Sequence, residues 1–133
     1  MEYIQSFSAA APAYKAQADL IRALAHPTRL QILEILGVEE SCVCHLTAIL
    51  GQRQPYISQQ LMTLRNAGLV LDRRDGVMIY YRPANPERLA ALIDQTRALL
   101  TDLGSSLAFP AVPRSPVPGC PCPKCEAVSA CSR

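Results

Sequence analysis

Six cysteines are the residues of this chain best suited to chemistry, and they form two groups. Cys42 and Cys44 lie one residue apart in the first third of the chain. The other four follow a proline-rich stretch near the C-terminus: Cys120, Cys122, Cys125 and Cys131. Thiolates are the preferred protein ligands of soft ions. Because a Cys-X-Cys-X2-Cys cluster seldom arises for packing alone, we expect thiol chemistry in the C-terminal group.

The compartment decides whether these cysteines are free thiols or disulfides. No stretch approaches the roughly 18 apolar residues that cross a bilayer, and the N-terminus lacks the basic run of a signal peptide. We therefore expect a cytoplasmic, reducing location with no membrane partner. There, cysteines serve metal or redox chemistry more often than a disulfide framework.

Catalytic motifs are missing from the sequence. It contains no glycine-rich phosphate loop, and no Ser/His/Asp or Cys/His set outside the region around Cys42. The only paired acids, Glu39 and Glu40, indicate a polar connector before a helix. We therefore predict no enzymatic activity and no organic cofactor.

The spacing of apolar residues predicts a mainly helical fold with one β-hairpin. Half of the residues are apolar, but tryptophan is absent, so the core must consist of Leu, Ile, Val and Ala. Helices are predicted at 13–25, 27–36, 42–50, 55–66 and 86–103. Asp75-Gly76 between apolar runs predicts a hairpin with strands at 69–71 and 77–82. His26 and Ser41 are the expected N-caps of the second and third helices.

Two short helices joined by a tight turn and followed by a hairpin are typical of a winged helix-turn-helix. Basic charge gathers in the same region: residues 52–82 contain five arginines and two aspartates. A basic surface over these elements fits a nucleic-acid partner.

Three segments of the chain resemble the ArsR/SmtB family of metal-sensing repressors. They are residues 23–33 (ALAHPTRLQIL), 58–70 (SQQLMTLRNAGLV) and 74–81 (RDGVMIYY), in the family's order and spacing. The resemblance extends over about residues 17–103. It implies a homodimeric winged helix-turn-helix repressor that binds operator DNA and is released by an ion.

Within this resemblance, the fourth helix is the recognition helix and the hairpin is the wing. Glutamine can pair with adenine, and arginine with guanine or phosphate. The predicted DNA-contacting residues are Arg53, Gln54, Tyr56, Ser58, Gln59, Arg65, Arg73 and Arg74. The alternative is that these are ordinary solvated residues, an interpretation about as strong as the functional one for Arg73 and Arg74.

The helix at 86–103 is too apolar for a solvated edge element, so we predict that it forms the dimer interface with the N-terminal helix. The expected interface residues are Leu20, Leu24, Leu92, Ile93, Thr96, Leu99 and Leu100. Packing within one chain is the alternative explanation of the same apolar face.

The resemblance places the sensor at Cys42-Val43-Cys44, where the family binds arsenite, cadmium or lead. Residues i and i+2 do not share a helical face, so joint coordination is expected to need an unwound helix start. Some relatives have a third cysteine where this chain has Thr47. We therefore predict that the tail completes the site, giving the ligands Cys42, Cys44, Cys120, Cys122 and Cys125. Three thiolates suit arsenite, and four suit tetrahedral cadmium or zinc.

Several alternatives stay open from the sequence. The tail could be an independent scavenging patch, a redox pair or a dispensable extension, and Cys42 and Cys44 could be semi-buried structural residues. His45 is expected to be an exposed helix residue, and the participation of Cys131 is open. The family's second site needs histidine on the last helix, and residues 86–103 contain none.

These expectations combine into one hypothesis. The chain has an N-terminal arm (1–12), a DNA-binding and dimerisation domain (13–103), a proline-rich linker (104–119) and a cysteine-rich tail (120–133). It represses transcription until arsenite, or antimonite, cadmium or lead, binds. A thiol-redox repressor is the alternative function. The linker is expected to be extended rather than packed, and the tail to be mobile without ligand.

Overall fold

The computed structural model describes residues 1–126, so Cys131 lies outside the described residues. Besides a single helical turn at residues 123–126, the described chain contains six helices and one hairpin. They are α1 (Glu2–Ala9), α2 (Ala11–Leu24), α3 (Pro27–Val38), α4 (Val43–Leu50), α5 (Gln54–Asn66), β1 (Val70–Asp75), β2 (Met78–Pro83) and α6 (Pro86–Asp102). The predicted class, mainly α with a hairpin wing, is confirmed. Residues 1–12, predicted as an arm, are helical over most of their length.

The starts of α3 and α4 are set by side-chain caps. The Nδ1 atom of His26 accepts a hydrogen bond from the Thr28 N–H at 3.2 Å, which confirms His26 as the cap of α3. Cys42, rather than Ser41, caps α4: its Sγ accepts from the His45 N–H at 3.4 Å. The prediction for Ser41 was wrong because the backbone of Ser41 pairs with Tyr81 in an isolated bridge.

A tight turn joins α4 to α5, as predicted. Gly51 ends α4 with a φ of 64°, a left-handed conformation that glycine adopts without steric strain. Pro55 lies in the first turn of α5, where its missing N–H leaves no helical hydrogen bond unmade. These two helices form the helix-turn-helix.

The hairpin differs from its prediction in the length of its strands. Arg73 and Arg74 were placed in the turn, but they lie in β1 and pair with Tyr80 and Ile79. Only Gly76 and Val77 separate β1 from β2, and Gly76 has a φ of 62°. The Asp-Gly signal therefore located the turn correctly, while the strands continue through the arginines.

The main core lies between α2, α3, α4, α5, β1 and the first turn of α6. Its buried members are Leu24, Ile32, Leu33, Ile35, Leu36, Leu46, Ile57, Leu61, Leu64, Val70 and Leu89. All are aliphatic, as the composition predicted. Leu46 of α4 and Ile57 of α5 belong to the same cluster, so the two helices share one packed core.

The segment after α6 packs against the domain, although it has little regular structure. Val117, Cys120, Cys122 and Cys125 are buried and form a second cluster with Cys42 and Tyr80. Ser115 donates hydrogen bonds to the Glu39 carboxylate from its N–H (2.9 Å) and hydroxyl (2.7 Å). The expectation of an unpacked segment is therefore wrong at Ser115, Val117 and these three cysteines, although most of residues 104–119 are exposed. The mobility of the tail without ligand stays a prediction.

None of the helices found within residues 1–126 is both long and apolar enough to cross a membrane.

Candidate metal centre and DNA-binding surface

The N-terminus of α4 and the C-terminal segment bring six metal-binding side chains together. Two overlapping sets occur within residues 1–126: Cys42, Cys44, Cys120 and Cys122 form the first, and His45, Cys120, Cys122 and Cys125 form the second. Within each set, the candidate ligand atoms all lie within 4.8 Å of one another. We call these six residues the thiol cluster.

The position of Cys42 explains how two thiols at i and i+2 reach one point. Cys42 lies before the first helical residue and has an extended backbone, with φ −84° and ψ 169°. Cys44 lies within the first turn of α4. The helical periodicity that separates i from i+2 therefore does not apply to this pair, and the expected unwinding of the helix is unnecessary.

The donor chemistry of the cluster fits a thiophilic ion. The Sγ atoms of Cys44 and Cys120 are 3.9 Å apart, and the Sγ of Cys125 is 3.5 Å from His45 Nδ1. Sulfur and imidazole nitrogen are the ligands of zinc and of softer ions, which bind thiolates at about 2.3 Å or more. An ion needs only a small contraction of the first set to contact all four sulfurs.

Burial keeps most of these thiols protonated in the absence of an ion. It raises the pKa of Cys42 and of Cys120 to about 12, and it also raises the pKa of Cys44. Burial pushes the pKa of Cys122 upward too, but hydrogen bonds from the Cys125 backbone and neighbouring thiols bring it below its usual value. Ion binding must therefore expel protons from the cluster.

His45 is buried inside the cluster, with 2% of its surface exposed, so the prediction of an exposed helix residue was wrong. Burial lowers its pKa and favours the neutral imidazole, the form that binds metals. Its Nε2 lies 3.3 Å from Glu39 Oε1, yet it makes no hydrogen bond of good geometry. Glu39 is held in place by Ser115.

The cluster is also connected to the wing. Tyr80 of β2 packs against the cysteines, and the Arg73 guanidinium lies 4.9 Å from the centre of its ring. Arg73 also forms a bidentate ion pair with Glu40, which lowers the pKa of that carboxyl. Lys124 of the tail donates a 2.8 Å hydrogen bond to the backbone carbonyl of Glu40. The tail and the wing thus share one anchoring residue, Glu40.

Most of the predicted DNA-contacting side chains are exposed around α5 and the wing. Arg53, Gln54, Ser58, Gln59 and Arg74 are exposed.

Three others have partners within the chain. The Tyr56 hydroxyl is 3.0 Å from the Thr28 hydroxyl, and Tyr56 is half-buried. Arg65 lies 3.5 Å from Asp72, and Arg73 is paired with Glu40 as described. A phosphate contact by Arg65 or Arg73 would therefore replace an existing ion pair.

The predicted dimer residues lie mostly on an exposed apolar face of α2 and α6. The exposed fractions are 41% for Leu20, 44% for Leu92, 57% for Leu99 and 44% for Leu100, while Thr96 is exposed and Ile93 half-buried. Leu20 and Leu92 line one groove. Leu24 belongs instead to the core, at 8% exposure.

Sequence reasoning missed four residues around the thiol cluster: Glu39, Tyr80, Ser115 and Lys124. They carry no motif. Tyr80, Ser115 and Lys124 reach the cluster only through contacts between segments more than 30 residues apart in sequence, and Glu39 faces a histidine that was expected to be exposed. The sequence did contain a signal that His45 is a ligand, since His45 directly follows the Cys-Val-Cys sequence in the first turn of α4.

A helix-turn-helix followed by a β-hairpin, with an aliphatic core beneath both, defines a winged helix-turn-helix protein. Residues 26–71 match the family described as "Bacterial regulatory protein, arsR family". The chain is 44% identical over 79 residues to the "Arsenical resistance operon repressor" of Escherichia coli strain K12, covering 57% of this chain and 68% of that protein. The chain therefore belongs to the ArsR family, a family of transcriptional regulators and not of enzymes.

Solved structures agree with this assignment. Rv0081 of Mycobacterium tuberculosis superposes with a TM-score of 0.64 at 37% identity, covering 71% of this chain and 98% of that one. The winged helix-turn-helix domain of Mb0332 from Mycobacterium bovis, described as a homodimer, has a TM-score of 0.64 at 29% identity, covering 77% and 94% of the two chains.

Proposed function

We propose that this protein is a homodimeric transcriptional repressor that leaves its operator DNA when a thiophilic ion binds the thiol cluster. The observation that supports this best is the first donor set, in which four thiols lie within 4.8 Å at the start of α4. This helix packs against α5, the proposed recognition helix. Two of the thiols come from the tail, which supports a sensor that includes the tail over a separate scavenging unit.

The inducer is proposed to be arsenite or a related thiophilic ion. Similarity to an arsenical resistance operon repressor favours arsenite. Antimonite, cadmium and lead share its preference for thiolates. Three thiolates of the cluster satisfy arsenite, whereas cadmium would use four ligands.

Ion binding is proposed to act on both DNA-contacting elements. Contraction of the cluster displaces the start of α4, and Leu46 and Ile57 pass this displacement to α5 through the core. The same contraction acts on Tyr80, which packs against the cysteines and lies in strand β2 of the wing. When the angle between α5 and the wing changes, the two elements can no longer contact DNA at the same time. The affinity of the protein for its operator therefore falls.

The DNA-binding surface is proposed to comprise the exposed residues Arg53, Gln54, Ser58, Gln59 and Arg74. Tyr56, Arg65 and Arg73 are proposed to contribute after each exchanges its intramolecular partner for a contact with DNA. The dimer interface is proposed to be formed by Leu20, Leu92, Ile93, Thr96, Leu99 and Leu100. Leu24 is buried in the core beneath this face and is not proposed to contact the partner.

The test is operator binding by fluorescence anisotropy under reductant, with separate titrations of arsenite, antimonite, cadmium, lead and zinc. Wild type is compared with a Cys42→Ser/Cys44→Ser double variant, and with Glu87→Gln as a control, an exposed change on α6 outside the groove lined by Leu20 and Leu92. We expect one or more ions to release DNA from wild type and the control but not from the double variant. Release that persists in the double variant, or no release by any ion, would refute the proposed sensor.

A redox sensor is the second candidate, favoured by the 3.9 Å distance between the sulfurs of Cys44 and Cys120. Hydrogen peroxide would oxidise the two thiols to a disulfide and be reduced to two waters. A disulfide between these residues after peroxide treatment, with loss of operator binding that dithiothreitol restores and no response to ions, would establish this function instead.

A further inference from the structure

The two donor sets of the thiol cluster overlap in Cys120 and Cys122. We propose that the cluster binds two divalent thiophilic ions per chain, bridged by the sulfurs of these two cysteines. Cys42 and Cys44 complete the first ion's shell, and His45 and Cys125 complete the second. This rests on the proposed function, because it concerns the same site, and it adds the stoichiometry and the role of each ligand.

The count of donors matches two ions. Two tetrahedral ions need eight coordination positions. The cluster has six donors, and two bridging thiolates each occupy two positions, so all eight positions are filled. A single tetrahedral ion would leave two buried donors without a metal.

The charge of the buried cluster also favours two ions. An uncompensated buried charge is costly. One divalent ion bound by the four thiolates of the first set has an excess of two negative charges, whereas two ions bound by five thiolates and a neutral imidazole have an excess of one. Backbone N–H groups offset part of this remainder: Val117 donates to Cys125 Sγ at 3.3 Å, and His45 donates to Cys42 Sγ at 3.4 Å.

The surroundings of His45 indicate which nitrogen binds the second ion. Nδ1 lies beside the Cys125 sulfur at 3.5 Å, so it faces the cluster. Nε2 faces the Glu39 carboxylate at 3.3 Å but lacks a well-formed hydrogen bond. Coordination through Nδ1 places the imidazole proton on Nε2, where the carboxylate can accept it. The unpartnered Nε2 atom thus gains a partner when the second ion binds.

The full-length protein, reduced and loaded with cadmium, tests this proposal. Native mass spectrometry is expected to show two cadmium ions per chain. Cadmium NMR is expected to show two resonances. The β-protons of Cys120 and Cys122 should couple to both resonances, those of Cys42 and Cys44 to one, and those of Cys125 to the other.

Variants of the terminal ligands are matched controls for each other. Cys125→Ser should hold one ion and retain the resonance coupled to Cys42 and Cys44. Cys42→Ser should hold one ion and retain the resonance coupled to Cys125. Circular dichroism of each variant confirms that the winged helix is folded.

One ion per wild-type chain at saturating cadmium, or two ions with no cysteine coupled to both, would overturn the proposal. Neither result bears on the proposed function, which the operator-binding titrations of wild type and the double variant test separately. If two bridged ions bind but DNA is not released, the proposed two-ion site is supported and the proposed repressor mechanism is refuted.

Discussion

At the scale of single residues, His45 shows how much chemistry depends on contacts that sequence does not record. The pattern of an isolated histidine on a short helix favours an exposed residue, and that prediction was wrong. Burial of this residue results from the tail, whose Cys125 and Ser115 lie about 70 to 80 positions away. Cys42 and Cys44, in contrast, were identified by their spacing and their place in a known family pattern.

Glu39→Gln tests the role of the carboxylate beside His45. Because an amide is a weaker acceptor for the imidazole N–H, we expect the second cadmium ion to bind roughly 10–100-fold more weakly. Binding of the first ion should be unchanged. Competition titrations with a chromophoric chelator measure both steps.

Glu40→Gln is the matched control, since it neutralises the adjacent carboxylate, which pairs with Arg73, whereas the carboxylate beside His45 is that of Glu39. Equal effects of the two substitutions on the second ion would show that Glu39 acts only through net charge and does not position the imidazole.

At the scale of elements, most of the architecture followed from the sequence. The periodicity located five helices, and Asp75-Gly76 located the turn of the hairpin. The strand lengths were missed, because two consecutive arginines are atypical of a strand, and cross-strand pairing with Tyr80 and Ile79 outweighs that preference. Helix α1 was missed because nothing in it is buried, so no core-facing stripe is required.

The sequence predicted that the tail cysteines meet Cys42 and Cys44, and the structure brings Cys120 and Cys122 to them. The sequence did not predict how the tail packs, and removal of the tail is informative. Deleting residues 104–133 should leave the winged helix folded, because the buried members of the main core all lie between Leu24 and Leu89. Two thiols then remain. We expect ion affinity to fall by more than the roughly 10–100-fold that loss of a ligand's outer hydrogen-bond partner costs.

Isothermal titration calorimetry of the deletion variant measures this loss, and anisotropy measures the release of DNA. Operator binding in the absence of ions should persist. If the truncated protein responds to ions at wild-type concentrations, the tail is dispensable and the sensor consists of Cys42 and Cys44 alone.

At the scale of the whole molecule, the exposed apolar face of α2 and α6 needs a partner. Contiguous apolar surface of this kind marks an interaction site in soluble proteins. Family membership and a homodimeric neighbour support a second copy of the chain as that partner.

Leu92→Asp is therefore expected to dissociate the dimer. Loss of apolar burial and desolvation of the new carboxylate together cost at least about 2 kcal/mol, which raises the dissociation constant roughly 30-fold. Analytical ultracentrifugation measures this shift. Leu71→Asp on β1 is the control, because Leu71 is exposed to nearly the same extent, 43% against 44% for Leu92. A dimer unaffected by Leu92→Asp would place the interface elsewhere.

The contact between Cys44 and Cys120 closes a chain segment 76 residues long that contains α5, the wing and α6. An ion held by both residues is a reversible cross-link of that segment, and it restricts the unfolded chain as a disulfide would. The loop-closure entropy of such a cross-link corresponds to a stabilisation on the order of 4 kcal/mol. Under the proposed function, the ion-bound protein that has left its DNA is then expected to be the form most resistant to heat and proteolysis. A cell recovering from exposure would regain repression by removing ions from existing molecules, without having to synthesise new ones.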